Sequence, residues 1–357
     1  IQSMSIPVNQ RSYDQPFPFF ARPEVVSEYS VDATRQVRLG RSGAKYLRTI
    51  ERDARLEFDL NLGKETFVEK DVKSERLDVL LQWATAQCAP RSCRPKKIFH
   101  EADIVCWRGL LTRIASAPFS DRDGWRFVAV RVDEVIYLCE YDTDEAKKRK
   151  ESATPKEQMM SYWGFKFEQY MTADSPEADP DTVSPVDCRS EFAVVCKSRI
   201  GVAGSKGRAL RLAYGAEVDA IDDNGLLVEM KTQRNALEGG FWKQKSCKWW
   251  LQSFLVGLER ITVGFRDDGG IVHKVGAVPL GDLTRQGQWA GNVCFNFLST
   301  VLSAVERRLP RGSEDYASCH VVYNPGTKQV HLEEARAEEA DFITPEFARH
   351  FGLPDRM

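Results

Sequence analysis

The stretch Tyr214-Gly215-Ala216-Glu217-Val218-Asp219-Ala220-Ile221-Asp222-Asp223-Asn224-Gly225-Leu226-Leu227-Val228-Glu229-Met230-Lys231-Thr232 reads as two strands around a tight turn. Side chains alternate faces along a strand, so Glu217 and Asp219 point one way while Val218 and Ala220 point the other. Beyond the turn, Glu229 and Lys231 share a face and Val228 and Met230 share its opposite. The loop length decides whether the polar faces meet. A two-residue loop, Asp223-Asn224, pairs position 222 with 225 and turns Glu229 to the wrong face. A three-residue loop, Asp223-Asn224-Gly225, pairs 222 with 226, so that Asp219 faces Glu229 and Glu217 faces Lys231. Gly225 falls where a three-residue hairpin needs a left-handed residue, and turn chemistry favours this convergent register.

Three carboxylates and one lysine on one sheet face repel, and one carboxylate would tend to stay protonated. A divalent cation removes that cost. Oxygen ligands without His or Cys suit Mg²⁺ or Mn²⁺ better than zinc. The Asp219…Glu229-x-Lys231 spacing also resembles the core signature of PD-(D/E)XK nucleases, in which two acids hold metal and the lysine orients or activates water. The alternative is a solvated hairpin whose outer face is salt-bridged, since acid-rich strand faces are common.

Two flanking segments extend the constellation. Residues 155–171 read as a helix opened by Thr154-Pro155 with a Glu three residues after the Thr. It carries Glu168 inside the aromatic run Trp163-Gly164-Phe165-Lys166-Phe167-Glu168-Gln169-Tyr170, as a fourth ligand or as a surface acid beside a packed stripe. A helix over roughly 242–258 places Lys248 and Gln252 four apart on one face, able to meet a phosphate or water, or else simply flanking a Trp-rich core face. A second hairpin is expected around Asp267-Asp268-Gly269-Gly270, a helix near 290–308, and strands near 318–323 and 328–333. Ile104 to Cys106, Trp125 to Val132 and Val135 to Cys139 read as strands. Residues 174–187, acidic and broken by Pro176, Pro180 and Pro185, read as a loop. The basic run Lys147 to Lys150 reads as a solvated loop or helix start, with an RNA or import role as the alternative.

The chain has 357 residues, 42% hydrophobic, enough for a large core. Its 50 basic and 52 acidic residues nearly cancel, so any attraction to a polyanion must come from a local groove or bound cations. The 9 cysteines include no CxxC pair, which favours reduced thiols over a disulfide framework. No run reaches a membrane-spanning length. None of the five histidines pairs at metal spacing. Gly201 to Gly207 is Gly-rich without a Walker ending and reads as a flexible loop. These observations predict an α/β fold of mixed β-sheets flanked by helices, with a PD-(D/E)XK-nuclease-like core. They also predict a single catalytic domain over residues 1–357, its first 35 or so residues an irregular wrapping segment.

Taken together the motifs resemble the decapping exoribonuclease family of eukaryotic RNA 5′-end quality control. Arg108-Gly109-x-x-Thr112 resembles its first motif, Gly164-Phe165-x-Phe167-Glu168-x-Tyr170 the second and Glu217-Val218-Asp219-x-Ile221-Asp222 the third, with Ala220 where a Cys is often found. Glu229-Met230-Lys231-Thr232 resembles the fourth, Lys248 through Gln252-Ser253 the fifth and Gly264-Phe265-Arg266-Asp267 the sixth. Six motifs in order are a specific signal where each alone is weak. The resemblance implies that Glu168, Glu217, Asp219 and Glu229, with the Met230 carbonyl, ligate one or two Mg²⁺ or Mn²⁺ ions. It implies that Lys231 and Gln252 hold the attacking water or the scissile phosphate, and that Arg108 grips an RNA phosphate. The implied reactions are decapping, pyrophosphate removal from 5′-triphosphate RNA, NAD-cap removal and 5′-to-3′ degradation, on RNA 5′ ends, in the nucleus and also the cytosol. A different class of function is a partner that stabilises a separate 5′-to-3′ exoribonuclease. A DNA-directed PD-(D/E)XK nuclease is a third, resting on the hairpin alone.

Overall fold

The computed structural model describes residues 4–71 and 75–356. Among these residues the strands assemble into two mixed sheets, one of ten strands and one of seven. At the centre of the larger sheet, Ala209–Glu217 runs antiparallel to Glu191–Gly201 and parallel to Ile104–Trp107. In the smaller sheet, Leu227–Arg234 runs parallel to Arg260–Arg266, which forms a hairpin with Ile271–Pro279. The alternation along the Glu191–Gly201 strand shows why the larger sheet is buried on both sides. Val194 and Cys196 enter one core and Ala193 and Val195 another. The first core is filled by the helices Arg108–Ser116, Ser246–Phe254 and Gly291–Arg308 and reaches Ile261 and Val263 of the smaller sheet. The second is covered by Asp78–Thr85 and Pro345–Phe351.

The helix Pro155–Met171 forms with the expected boundaries. Thr154 accepts from the Glu157 amide and the Glu157 side chain accepts from the Thr154 amide, closing a capping box over Pro155. It lays Tyr162, Trp163, Phe167 and Met171 on Ala220, Val228 and Met230 of the smaller sheet. Burying each large side chain there contributes about 1.5–3 kcal/mol. Gly264 is what lets the helix approach, because a Cβ there would sit 2.5 Å from Phe167 Cε2. The helix expected at 242–258 divides into Phe241–Gln244 and Ser246–Phe254, with Lys245 between them at φ −111°.

The deciding hairpin has the three-residue loop. Ala220 pairs with Val228 and Ile221 with Leu227, the Asp222 amide donates to the Leu226 carbonyl, and Gly225 has φ +76°. One expectation fails: Glu217 does not face Lys231 across this pair. The chain changes sheets between Glu217 and Ala220. Glu217 ends its strand in the larger sheet, opposite Ala193, and the Val218 amide still bonds to Phe192 there. Asp219 lies at the crossover, and at Ala220 the chain enters the smaller sheet. The N-terminal stretch expected to be irregular contains Glu24–Val31, an eight-residue strand paired with Glu191–Gly201. The basic run lies on the exposed helix Asp144–Glu151, and 174–187 is irregular apart from a bridge at Asp187.

Candidate active site

The crossover between the sheets brings the acids together from three directions. Asp219 accepts the Met230 amide at 2.7 Å on Oδ2, which pins it against the neighbouring strand. Glu229, 5% exposed, receives Lys231 Nζ at 2.6 Å on one oxygen and Arg108 Nη1 at 3.7 Å on the other. Glu168, half-buried, projects from the aromatic helix, and its own carbonyl accepts from Thr172 Oγ1. Glu217 is the exposed member.

Glu168 feels the charges of Asp219, Glu217 and Glu229, so the four acids lie within electrostatic reach of one another. Burial raises the Glu168 carboxyl well above its usual range, and the charges of Asp219, Glu217 and Glu229 raise it further. Burial and then Glu229 push Asp219 up to about 8. Glu229 goes the other way: burial opposes its charge, but Lys231 and Arg108 outweigh that and lower it. Burial alone would lower Lys231, yet Glu229 and Asp219 hold its ammonium above the usual lysine range. The cluster thus holds an ionised Glu229–Lys231 pair beside carboxyls that burial, and then the neighbouring acids, keep from ionising. Among the described residues no three acid, His or Cys side chains are already drawn together as a metal cluster. Glu229 leans on its two cations and Asp219 on a backbone amide.

Arg108 is 9% exposed and its guanidinium turns inward, bonding the Gln252 carbonyl at 3.3 Å and the Glu217 carbonyl at 3.5 Å besides pairing with Glu229. It fastens three site-bearing segments to one another. Met230 is buried, with its side chain in the core beneath the smaller sheet. Gln252 is half-buried on the helix Ser246–Phe254, where Arg108 holds its carbonyl. Lys248, one turn earlier, instead approaches Asp123 at 3.8 Å. Three cavities, of about 660, 300 and 940 Å³, open elsewhere on the molecule and are lined by none of the four acids.

Sequence reasoning missed Tyr29. It is fully buried, opposite Ala193, which in turn stands opposite Glu217, so the three lie in one row across adjacent strands. Its hydroxyl has no hydrogen-bond partner among the described residues, and after burial the Glu217 charge is the next influence keeping it protonated. No local motif marks it; only the strand register with Ala193, 164 residues downstream, places it there.

Comparison with known proteins identifies the family. A decapping nuclease of Caenorhabditis elegans, dom-3, is 36% identical, the match covering 98% of this chain and 90% of that protein. The human decapping and exoribonuclease protein is 31% identical over 84% of this chain and 78% of its own length. The crystal structure of Candida albicans Rai1 in complex with pU5 and Mn²⁺ superposes with a TM-score of 0.76 at 20% identity, covering 99% of each chain, a likeness of fold. A family description, RAI1 like PD-(D/E)XK nuclease, matches residues 21–348 and so takes in every acid of the crossover and all strands of both sheets but the edge strand Met4–Pro7. With the hairpin register, the acid cluster and that match in agreement, the chain belongs to the RAI1-like PD-(D/E)XK nuclease family.

Proposed function

We propose that this chain hydrolyses phosphate linkages at RNA 5′ ends, acting as a decapping nuclease and 5′-to-3′ exoribonuclease with a divalent ion at the sheet crossover. The observation that carries the reading is the pair of carboxyls, Glu168 and Asp219, held above their usual range beside the ionised Glu229–Lys231 pair. Such a cluster is costly alone and is relieved by a divalent cation, and an all-oxygen donor set suits Mg²⁺ or Mn²⁺. Glu168, Glu217, Asp219, Glu229 and the Met230 carbonyl are the groups that would hold it. When bound, the ion supplies positive charge that polarises the scissile phosphate.

The chain's own residues supply the rest. Lys231, fixed by Glu229, offers a donor to a phosphate oxygen or to the incoming water. Gln252 offers a neutral amide donor from the neighbouring helix. Arg108 keeps the Glu229 strand, the Glu217 strand end and the Gln252 helix in one arrangement, which preserves the spacing that in-line attack needs. The names of the worm and human relatives support decapping and exoribonuclease activity, and the pU5 and Mn²⁺ of the Candida protein support a 5′-phosphorylated strand and a divalent ion.

An end-labelled panel tests this: 5′-triphosphate, unmethylated cap, methylated cap, NAD cap and 5′-monophosphate RNA, each with Mg²⁺, Mn²⁺ or EDTA. Metal-dependent release of 5′ products from at least one end supports the reading, and no turnover with any ion overturns it. Matched single-stranded DNA separates off the DNA-nuclease alternative. Association with a separate exoribonuclease is a further part of the proposal, tested by pull-down. Nine free thiols fit a reducing compartment, nuclear or cytosolic, which imaging of a tagged chain would decide.

A further inference from the structure

The strand pair that ends at Glu217 carries an unexplained set of charges at its far end. Arg199 and Arg211 are directly opposite each other in the antiparallel register and are both exposed. Like charges so placed repel across the sheet. Among the described residues neither guanidinium has a carboxylate partner: Arg199 lies over the Phe19 ring at 5.3 Å, and Arg211 meets Asp103 through its backbone alone, its amide donating to the carboxylate and its carbonyl accepting from the Asp103 amide. Lys197 stands on the same face two residues along, with Glu24 at 3.3 Å. Phe19 is 54% exposed although it is a large apolar ring. Beside it opens the cavity of about 660 Å³, whose walls include Phe19, Arg199, Ser205, Arg208, Asn296 and Thr300.

A fold that tolerates facing arginines without a counter-charge, and an exposed ring lying against one of them, is set up for a ligand that supplies both negative charge and flat apolar surface. An unpaired nucleotide strand supplies both, phosphates for the guanidiniums and bases for the ring, whereas a duplex keeps its base faces covered. An acidic peptide supplies the charge but leaves the ring exposed. The strip also has a spatial relation to the acids. Arg211 and Glu217 lie on the same face of one strand, six residues apart, which is about 20 Å at ~3.3 Å per residue; Ala213 and Gly215 between them are covered by Leu80 and Trp107, so a strand joining the two ends passes round that cover and is longer than the direct span.

We propose that Arg199, Arg211 and Phe19 form an accessory surface that binds the single-stranded body of an RNA whose 5′ end occupies the acid cluster. This rests on the proposed RNA 5′-end activity for the ligand's identity. The geometry gives it a distinct consequence: the surface contributes only when the RNA is long enough to reach it.

The test uses the full chain, as wild type, as the double variant Arg199→Ala/Arg211→Ala and as Phe19→Ala. Binding of a fluorescent 30-nucleotide single-stranded RNA is measured by anisotropy in EDTA. Steady-state turnover is measured on a 5-nucleotide 5′-monophosphate RNA with Mn²⁺. The expected result is about tenfold weaker 30-mer binding for the double variant and a several-fold loss for Phe19→Ala, with the 5-mer KM and kcat unchanged. The salt dependence of 30-mer binding should shallow by about 1.4 log–log units, two phosphate contacts at about 0.7 each on a single strand. Thermal melting of the double variant should match or exceed wild type, because a repulsion has been removed. Unchanged 30-mer binding overturns the proposal, as does an equal loss on both RNAs. Weakened binding of a polyglutamate peptide with RNA binding intact overturns it in favour of an acidic protein ligand. If wild type does not turn over the 5-mer, the reading of the acid cluster fails, while anisotropy still reports on the surface.

Discussion

At the scale of single residues, the site combines groups that need a cation with groups that prevent one another from drifting. Glu217 is exposed and has no buried packing role, so its loss should be chemical. Glu217→Gln should fold and melt like wild type yet lose about 10³-fold in turnover, on the order of 4 kcal/mol of transition-state stabilisation. Normal RNA hydrolysis by that variant would remove Glu217 from the mechanism. Arg108 behaves differently because it is buried against Glu229 and two carbonyls. Arg108→Ala leaves a buried carboxylate short of one partner, at a cost of about 1–3 kcal/mol. It should therefore lower both Tm and kcat. A variant with unchanged Tm and kcat but a raised KM for RNA would instead restore the phosphate-gripping role that the motif alone implies.

At the scale of elements, positioning and stability can be separated experimentally. Thr154 caps the Glu168 helix from its solvent-exposed start, about 21 Å along the helix from Glu168 at ~1.5 Å per residue. Thr154→Ala should cost about 1 kcal/mol in denaturant unfolding and leave turnover per folded molecule intact. Gly264→Ala acts on the same helix from beneath: the new methyl overlaps the Phe167 ring and pushes the turn that carries Glu168. Turnover should fall at least tenfold, with weaker Mn²⁺ binding; wild-type turnover in Gly264→Ala would show that Glu168 has slack. The sequence displayed much of this level. Val228, Met230 and Ala220 alternate with the acids, Asn224-Gly225 announces the turn, and Thr154-Pro155-x-Glu157 announces the helix, because each signal is local. It did not display the crossover at Val218–Asp219, since a strand that leaves one sheet for another keeps its alternation. The break at Lys245 was equally hidden in a continuous Trp- and Lys-rich run.

At the scale of the whole molecule, what sequence could not show is what long-range pairing creates. Arg108 meets Glu229 across 121 positions, and Tyr29 joins the Glu217 row only through the sheet register. The same assembly gives the protein a pH signature. The Asp219 carboxyl is moved from 3.8 to about 8 by burial and Glu229, with Glu168 raised in the same direction. Between about pH 4 and 8 the folded chain therefore binds more protons than the unfolded one at these groups, and stability falls as pH rises through that window. With chelator present, Tm should drop as pH is raised from 5 to 8. Saturating Mn²⁺ should flatten the drop, and Asp219→Asn should remove part of it. His320, lowered chiefly by burial, acts with the opposite sign, so the comparison with Asp219→Asn isolates the acid cluster. A pH dependence identical with and without the ion would separate the acids from metal binding.

The most direct measurement is a Mn²⁺ titration of the purified chain followed by electron paramagnetic resonance, for wild type and Asp219→Asn side by side. Wild type should take up one or two ions and the variant should bind at least tenfold more weakly. Equal uptake by both, or no uptake by wild type at millimolar ion, would contradict a divalent ion held at the sheet crossover.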